Sequence, residues 1–276
     1  MNLIKNLKSA PVTRVGRCLT ERRMRGGKLL IPFFTAGYPS LAVTRRLLLS
    51  AAEAGADLIE IGMPFSDPLA DGPTIQYSSQ AALESGMTLR KTLDLVAEMS
   101  SKISVPILLM GYYNPLLAFG LGRFCAAARN SGVAGLIIPD LPPEEALELS
   151  GACRRTGISL TFFAAPTSTV RRIELAGKMS TDFVYAVTVT GVTGARKRYA
   201  VNTGAYLRKV RRLAQKPVVA GFGVSSAASA ARLATAADGV VIGSALIDLI
   251  REAGNQRAAE AVGRRLKSIR RELDKL

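Results

Sequence analysis

The chain has 276 residues, 48% of them hydrophobic, with 37 basic and 21 acidic side chains and a formal net charge of +16. That length is normal for one α/β barrel, and no apolar run reaches the roughly 18 residues that span a bilayer, which argues against a membrane protein. There is no histidine, which removes Ser-His and Cys-His nucleophile arrangements and His-based metal sites and leaves Asp, Glu, Lys, Tyr or Cys for acid–base work.

The 3 cysteines, Cys18, Cys125 and Cys153, are odd in number and far apart, so no disulfide framework is implied and a reducing cytoplasm fits. The charge is unevenly spread, with eight Lys/Arg against one Glu in residues 1–28. Elsewhere it falls largely in arginine pairs such as Arg45-Arg46 and Arg211-Arg212, as on solvated helix faces. Aromatic residues make up only 6% and do not interleave with the basic clusters, so a stacking platform for nucleic acid is missing. An anionic substrate or an acidic partner suits the charge better.

Residues 1–28 form a basic N-terminal extension that loosely resembles a transit peptide, but Val15 and Leu19 at helical spacing favour a short amphipathic helix. Eight apolar runs follow as strand candidates. The first four are Leu29–Phe34, Leu58–Gly62, Pro106–Gly111 and Gly135–Pro139. The others are Ser159–Ala164, Phe183–Val189, Pro217–Gly221 and Gly239–Gly243. Most are apolar throughout, as parallel strands covered on both faces should be. Between them lie amphipathic stretches: a helix over Leu41–Gly55, two helices in 74–101 hinged near Gly86, a helix over Glu144–Thr156, and one capped by Ser225-Ser226 through Leu233. A final helix is expected from about Gln256 to Leu276. Eight βα units without a break in composition predict a single (β/α)8 TIM barrel over residues 1–276, with extra N- and C-terminal helices; an open doubly wound sheet is the alternative.

The second unit carries the most informative run, from Leu58 to Gly72. Glu60 sits near the exit of an apolar strand, where an unpaired charge costs several kcal/mol, roughly. Asp67 and Asp71 follow in the next loop, and neighbouring carboxylates can be driven to different pKa values and divide acid and base roles. A salt-bridged Glu60 and turn-forming roles for Asp67 and Asp71 are the plainer readings. Glycine turns follow strands six, seven and eight at Gly191–Gly194, Gly221–Gly223 and Gly243-Ser244. Backbone N–H groups in the last two, beside a helix N-terminus, suit a phosphate. Thr193, with a glycine two residues before it and another directly after it, precedes a basic stretch that suits a closing lid. Phe33, Met110, Tyr112, Tyr185, Phe222 and Val241 at strand exits would line an apolar pocket, and that combination suggests a substrate with an aromatic end and a phosphorylated end.

Taken with Pro73–Gln76, Ile31–Phe33, Gly37, Pro39 and Met110–Pro115, the Glu60–Gly72 run and the three glycine turns resemble the tryptophan synthase alpha chain family, over about residues 15–250. The resemblance implies reversible retro-aldol cleavage of indole-3-glycerol phosphate to indole and glyceraldehyde 3-phosphate. It implies Glu60, Asp71 and Tyr185 as catalytic residues, and Gly194, Gly223, Gly243 and Ser244 as phosphate ligands. Phe33, Met110, Tyr112, Phe222 and Val241 would hold the indole, and Thr193 would close the site. It implies no metal or cofactor in this chain and a pyridoxal-phosphate beta chain as partner, in an alpha2-beta2 assembly contacted through Pro64, Asp67 and Asn114. The competing expectations are a stand-alone lyase, a silent activator of the beta chain, and another phosphosugar isomerase or epimerase on the same barrel.

Overall fold

The computed structural model describes residues 12–188, 203–221 and 223–276. Within these, nine parallel segments form one sheet: β1 (Leu29–Thr35), β2 (Ile59–Gly62), β3 (Ile107–Met110), β4 (Val133–Ile137), β5 (Ser159–Thr161), β6 (Phe163–Ala164), β7 (Val184–Val187), β8 (Val218–Gly221) and β9 (Gly239–Ile242). Their order, β5-β4-β3-β2-β1-β9-β8-β7-β6, leaves β5 and β6 at opposite ends. These two are one strand interrupted at Phe162, whose N–H donates to Ser180 Oγ (3.0 Å) instead of to the sheet. Its carbonyl still accepts from the Tyr185 N–H (3.0 Å), and the Leu160 carbonyl accepts from Thr181 (2.8 Å). The expected single strand Ser159–Ala164 is therefore split by a side-chain competitor for one backbone donor, and the continuous chain closes an eight-stranded TIM barrel.

Eleven helices among the described residues clothe the barrel: α1 (Arg14–Met24), α2 (Leu41–Glu53), α3 (Pro73–Glu84), α4 (Leu89–Ser100), α5 (Tyr113–Phe119), α6 (Leu121–Asn130), α7 (Leu147–Thr156), α8 (Val170–Met179), α9 (Thr203–Ala214), α10 (Ala227–Ala234) and α11 (Ser244–Leu273). Their starts follow local chemistry. Thr13, Ser40, Thr88 and Thr169 each cap a helix with the side-chain oxygen, and Ser226 forms a reciprocal capping box with Ser229. Gly86, at φ 75°, turns the chain between α3 and α4 where the hinge was expected.

One expected helix differs in detail: Pro143–Glu145 forms a 3-10 turn, and the α-helix begins only at Leu147. The run from Ser244 to Leu273 is two helices joined at a kink, Gly254 at φ 68°, ψ 166°, and the second of them is the final helix expected from about Gln256. No described helix is long and apolar enough to cross a membrane.

Alternation along the strands divides the apolar residues into two cores. One, between sheet and helices, includes Leu30, Phe34, Ile59, Ile61 and Leu109. The other fills the barrel with Leu29, Ile31, Phe33, Leu58, Tyr185 and Val241. Glu60, on β2, faces the interior as Leu58 just before that strand does, so among the described residues the barrel interior holds one carboxylic acid. At the opposite end of the barrel, Asp57 Oδ2 accepts from the Leu30 N–H (2.8 Å) and from Arg270 (2.9 Å), and Arg22 lies 3.4 Å from Oδ1. That cluster ties α1 and α11 to the base of β1.

Candidate active site

Glu60 pairs with Phe33 in the β1–β2 register. It is completely buried, and neither carboxylate oxygen has a hydrogen-bond partner among the described residues. Ionisation there has no compensation, so burial, reinforced by the charge of Asp71, pushes its pKa up to about 8. Glu60 is accordingly a protonated acid at neutral pH.

Asp71 comes from the loop after β2, which is folded by its own backbone: the Asp71 N–H donates to Pro68 O (3.0 Å) and Gln76 Nε2 donates to Asp71 O (2.9 Å). Partial burial raises the Asp71 pKa to about 6, with the Tyr112 hydroxyl pulling in the opposite direction. Tyr112 stands at the exit of β3, next to β2, and its oxygen also accepts the Ala70 N–H at 3.0 Å. Its ring stacks on Phe65, with centroids 5.3 Å apart. Tyr112 therefore anchors the loop as well as lining the pocket. The 41-residue gap between Ala70 and Tyr112 hid this role in the sequence; the only available signal was that both follow adjacent strands.

Tyr185, on the inward face of β7, lies against Phe163 at a centroid distance of 4.7 Å. Its pKa is raised by burial first and then by the charges of Glu60 and Asp71. Room for the tyrosine ring comes from Gly221, where an added Cβ would meet Tyr185 Cε1 at 2.1 Å. Gly221 thus serves packing as well as the turn that follows.

A cleft opens at this end of the barrel, bordered by Phe33, Met110, Tyr112 and Asp71. Thr35, Gly62, Met63, Ile75, Ser79 and Gly111 complete it, and Thr35 and Ser79 were not singled out from sequence. Thr35 at a strand exit was the most accessible missed signal. Glu60, Tyr185 and Val241 do not border the cleft; Tyr185 and Val241 belong to the barrel-interior core with Phe33.

The pairing of β8 with β9 sets the turn after Gly221 beside the one at Gly243. Gly223 adopts φ 78°, a left-handed conformation that favours glycine. Gly243 is the N-cap of α11, and Ser244, its first residue, is exposed. Thr193, Gly194 and Phe222 lie outside the described residues.

On the loop after β2, Pro64 is half-buried and Asp67 exposed, and Asn114, in the first turn of α5 after β3, is exposed. The Asp67 carboxylate accepts the hydroxyl of its neighbour Ser66. The same two segments leave Leu69 93% and Leu117 48% exposed.

A closed parallel barrel with one acid sealed in its interior and a second on the adjoining loop defines a (β/α)8-barrel enzyme equipped for acid–base chemistry. Residues 19–275 match the family described as tryptophan synthase alpha chain. A tryptophan synthase alpha chain from Geobacter sp. (strain M21) is 46% identical over 252 residues, 91% of this chain and 94% of the relative. The crystal structure of tryptophan synthase subunit alpha from Legionella pneumophila str. Paris superposes with a TM-score of 0.88 at 31% identity, covering 96% of this chain and 99% of that one. A chain of the tryptophan synthase complex from Pyrococcus furiosus gives a TM-score of 0.79 at 38% identity, covering 88% and 98%. The chain belongs to the tryptophan synthase alpha chain family. Its reaction is the lyase cleavage of indole-3-glycerol phosphate, in tryptophan biosynthesis.

Proposed function

We propose that Glu60 and Asp71 divide the proton chemistry of this cleavage. Indole is a poor carbanion leaving group until C3 is protonated. The protonated Glu60 delivers that proton, and the resulting positive charge spreads to the ring nitrogen, whose N–H donates to the ionised Asp71. The Glu60 carboxylate then removes the proton of the adjacent glycerol hydroxyl. The C–C bond breaks, its electron pair restores the indole ring, and an aldehyde is left on the phosphorylated fragment. Glu60 ends the cycle protonated, as it began. Tyr185 holds Glu60 and the substrate in place.

Phe33, Met110, Tyr112 and Phe222 enclose the indole, with Val241 in the barrel-interior core that includes Phe33. Gly194, Gly223, Gly243 and Ser244 bind the phosphate, aided by the N-terminus of α11, and Thr193 closes over the site. No cofactor takes part in this chain. A pyridoxal-phosphate beta chain receives the indole in an alpha2-beta2 assembly in the cytoplasm, docking on the segments that carry Pro64, Asp67 and Asn114. The exposed Leu69 and Leu117 on those segments support that surface, as does the likeness to a chain of a tryptophan synthase complex.

The observation that carries the acid–base reading is the complete burial of an unpartnered Glu60 with a pKa of about 8. Glu60→Gln and Asp71→Asn should each lower indole-3-glycerol phosphate cleavage by ~10²-fold or more. Full activity in either variant would overturn the assignment. Cleavage that does not change on adding a beta chain would overturn the partner reading alone.

A further inference from the structure

A second cleft, of about 580 Å³ including its open mouth, lies at the base of the barrel among the N-terminal ends of the strands. Four cationic side chains, Arg22, Arg23, Lys28 and Arg211, border it against a single carboxylate, Asp238. Two of the four are matched. Arg22 is paired with Asp57 (3.4 Å) and Asp274 (2.7 Å), and Arg211 with Asp238 (3.1 Å).

The other two have no carboxylate partner among the described residues. Lys28 Nζ donates to the Ala237 carbonyl at 3.0 Å, which leaves two of its three protons for another acceptor. Arg23, in the last turn of α1, is exposed and makes no ion pair. The Arg211 guanidinium also keeps donors to offer, its side chain being 49% exposed. Leu19, Leu29 and Pro217 give the cleft an apolar floor, and a low-dielectric wall strengthens the field of the cations above it. The arrangement is partly preset, since the Arg22 guanidinium occupies the space a Cβ on Gly27 would need, at 2.8 Å.

We propose that this basal cleft is a second anion site, taking a small phosphorylated molecule with two or more negative charges on Arg23, Lys28 and Arg211. It is separate from the cleft at the Glu60 end and accounts for part of the basic excess of residues 1–28. A phosphate ester suits it better than a monocarboxylate because several oxygens can be shared among three cations.

Pyrophosphate is a suitable probe, titrated calorimetrically into the full chain at low ionic strength with glycerol 3-phosphate present to occupy the substrate's phosphate site. The expected result is saturable one-to-one binding that weakens with added salt. It should be about ten-fold weaker in Arg23→Ala and in Arg211→Ala, while Arg23→Ala cleaves indole-3-glycerol phosphate at the unaltered rate. Arg23→Ala removes no ion pair, so it keeps the test clear of a folding defect. Absence of saturable binding, or binding in either variant as tight as in the parent, overturns the proposal. Neither outcome bears on the Glu60–Asp71 chemistry, which the cleavage rate reports separately.

Discussion

An added Cβ on Gly221 would lie 2.1 Å from Cε1 of Tyr185 and 2.3 Å from its hydroxyl oxygen. The glycine at the end of β8 therefore fixes where the tyrosine of β7 can stand. Gly221→Ala must displace the ring inside a packed barrel, where overpacking costs about 1–3 kcal/mol. Because Tyr185 shares its enclosure with Glu60, a shifted ring should also lower kcat/KM by about ten-fold or more. Urea denaturation and steady-state cleavage of indole-3-glycerol phosphate measure the two effects. A loss of stability with unaltered kcat/KM would leave Tyr185 a packing residue only.

The raised pKa values of the two acids set the pH dependence of cleavage. Asp71 must be ionised and Glu60 protonated, so kcat/KM should rise through about pH 6 and fall through about pH 8. The Tyr112 hydroxyl lowers the Asp71 pKa. Tyr112→Phe should therefore move the acid limb to higher pH, while the alkaline limb, set mainly by the burial of Glu60, stays close to its place. A full pH–rate profile of the variant decides this. An acid limb that stays where it was would separate Tyr112 from Asp71.

Glu60 should also make stability fall with rising pH. The folded chain holds its proton up to about pH 8, whereas the unfolded carboxyl releases it near its ordinary value of 4.5. Between those limits the native state binds more protons than the unfolded state, so this contribution is fully present below the lower limit and is lost as pH rises towards 8. Glu60→Gln removes the dependence. The variant should match the parent near pH 4.5 and exceed it above pH 8 by on the order of a few kcal/mol. Denaturant midpoints across that range test the sign.

Asp57 illustrates the opposite use of a buried carboxylate. It accepts from Leu30 N–H and Arg270, with Arg22 3.4 Å away, while Arg270 is only 9% exposed. Asp57→Ala removes one of two carboxylates on that guanidinium, which keeps Asp274 (2.9 Å) and the Lys28 carbonyl (2.8 Å), and a lost charge-assisted hydrogen bond costs about 1.5–3 kcal/mol. The loss should show in the thermal midpoint. Cleavage at a temperature where the variant remains folded should be nearly unaffected, because the cluster is at the far end of the barrel.

The barrel was legible because its signals are local and repeated: apolar runs eight times over with amphipathic helices between them, some of those helices capped by Ser or Thr. Glu60 stood out because an acid in such a run conflicts with burial, and its isolation inside the barrel sustains that reading. The interruption at Phe162 was not legible. It depends on Ser180, 18 residues away, offering its hydroxyl oxygen to one backbone donor. The anchoring of Ala70 by Tyr112 was hidden for the same reason, since sequence patterns report which residues face inward and not which polar atoms meet across strands. Gly221 was visible as a turn glycine, but its service to the Tyr185 ring needed the β7–β8 register. The final helix was legible because Gly254, at φ 68°, breaks the backbone just before its expected start near Gln256.

Leu69 gives the most direct test of partner docking. It protrudes from the loop after β2 with 93% of its surface exposed, two residues from Asp67 and two from Asp71. A leucine so exposed contributes nothing to the fold that Lys would remove, so Leu69→Lys should leave the stability of the isolated chain within about 0.5 kcal/mol of the parent. Should the beta chain cover this loop, the substitution places a charge in the interface and removes an apolar contact. Beta-chain binding should then weaken by about ten-fold or more. Cleavage by the isolated chain should change little, because Leu69 does not border the cleft. Titrating a beta chain against cleavage rate separates the two effects, through the concentration needed for half-maximal stimulation and the rate without partner. An unaltered half-maximal concentration would place the docking surface elsewhere, and a lost basal rate would instead tie Leu69 to the conformation of Asp71.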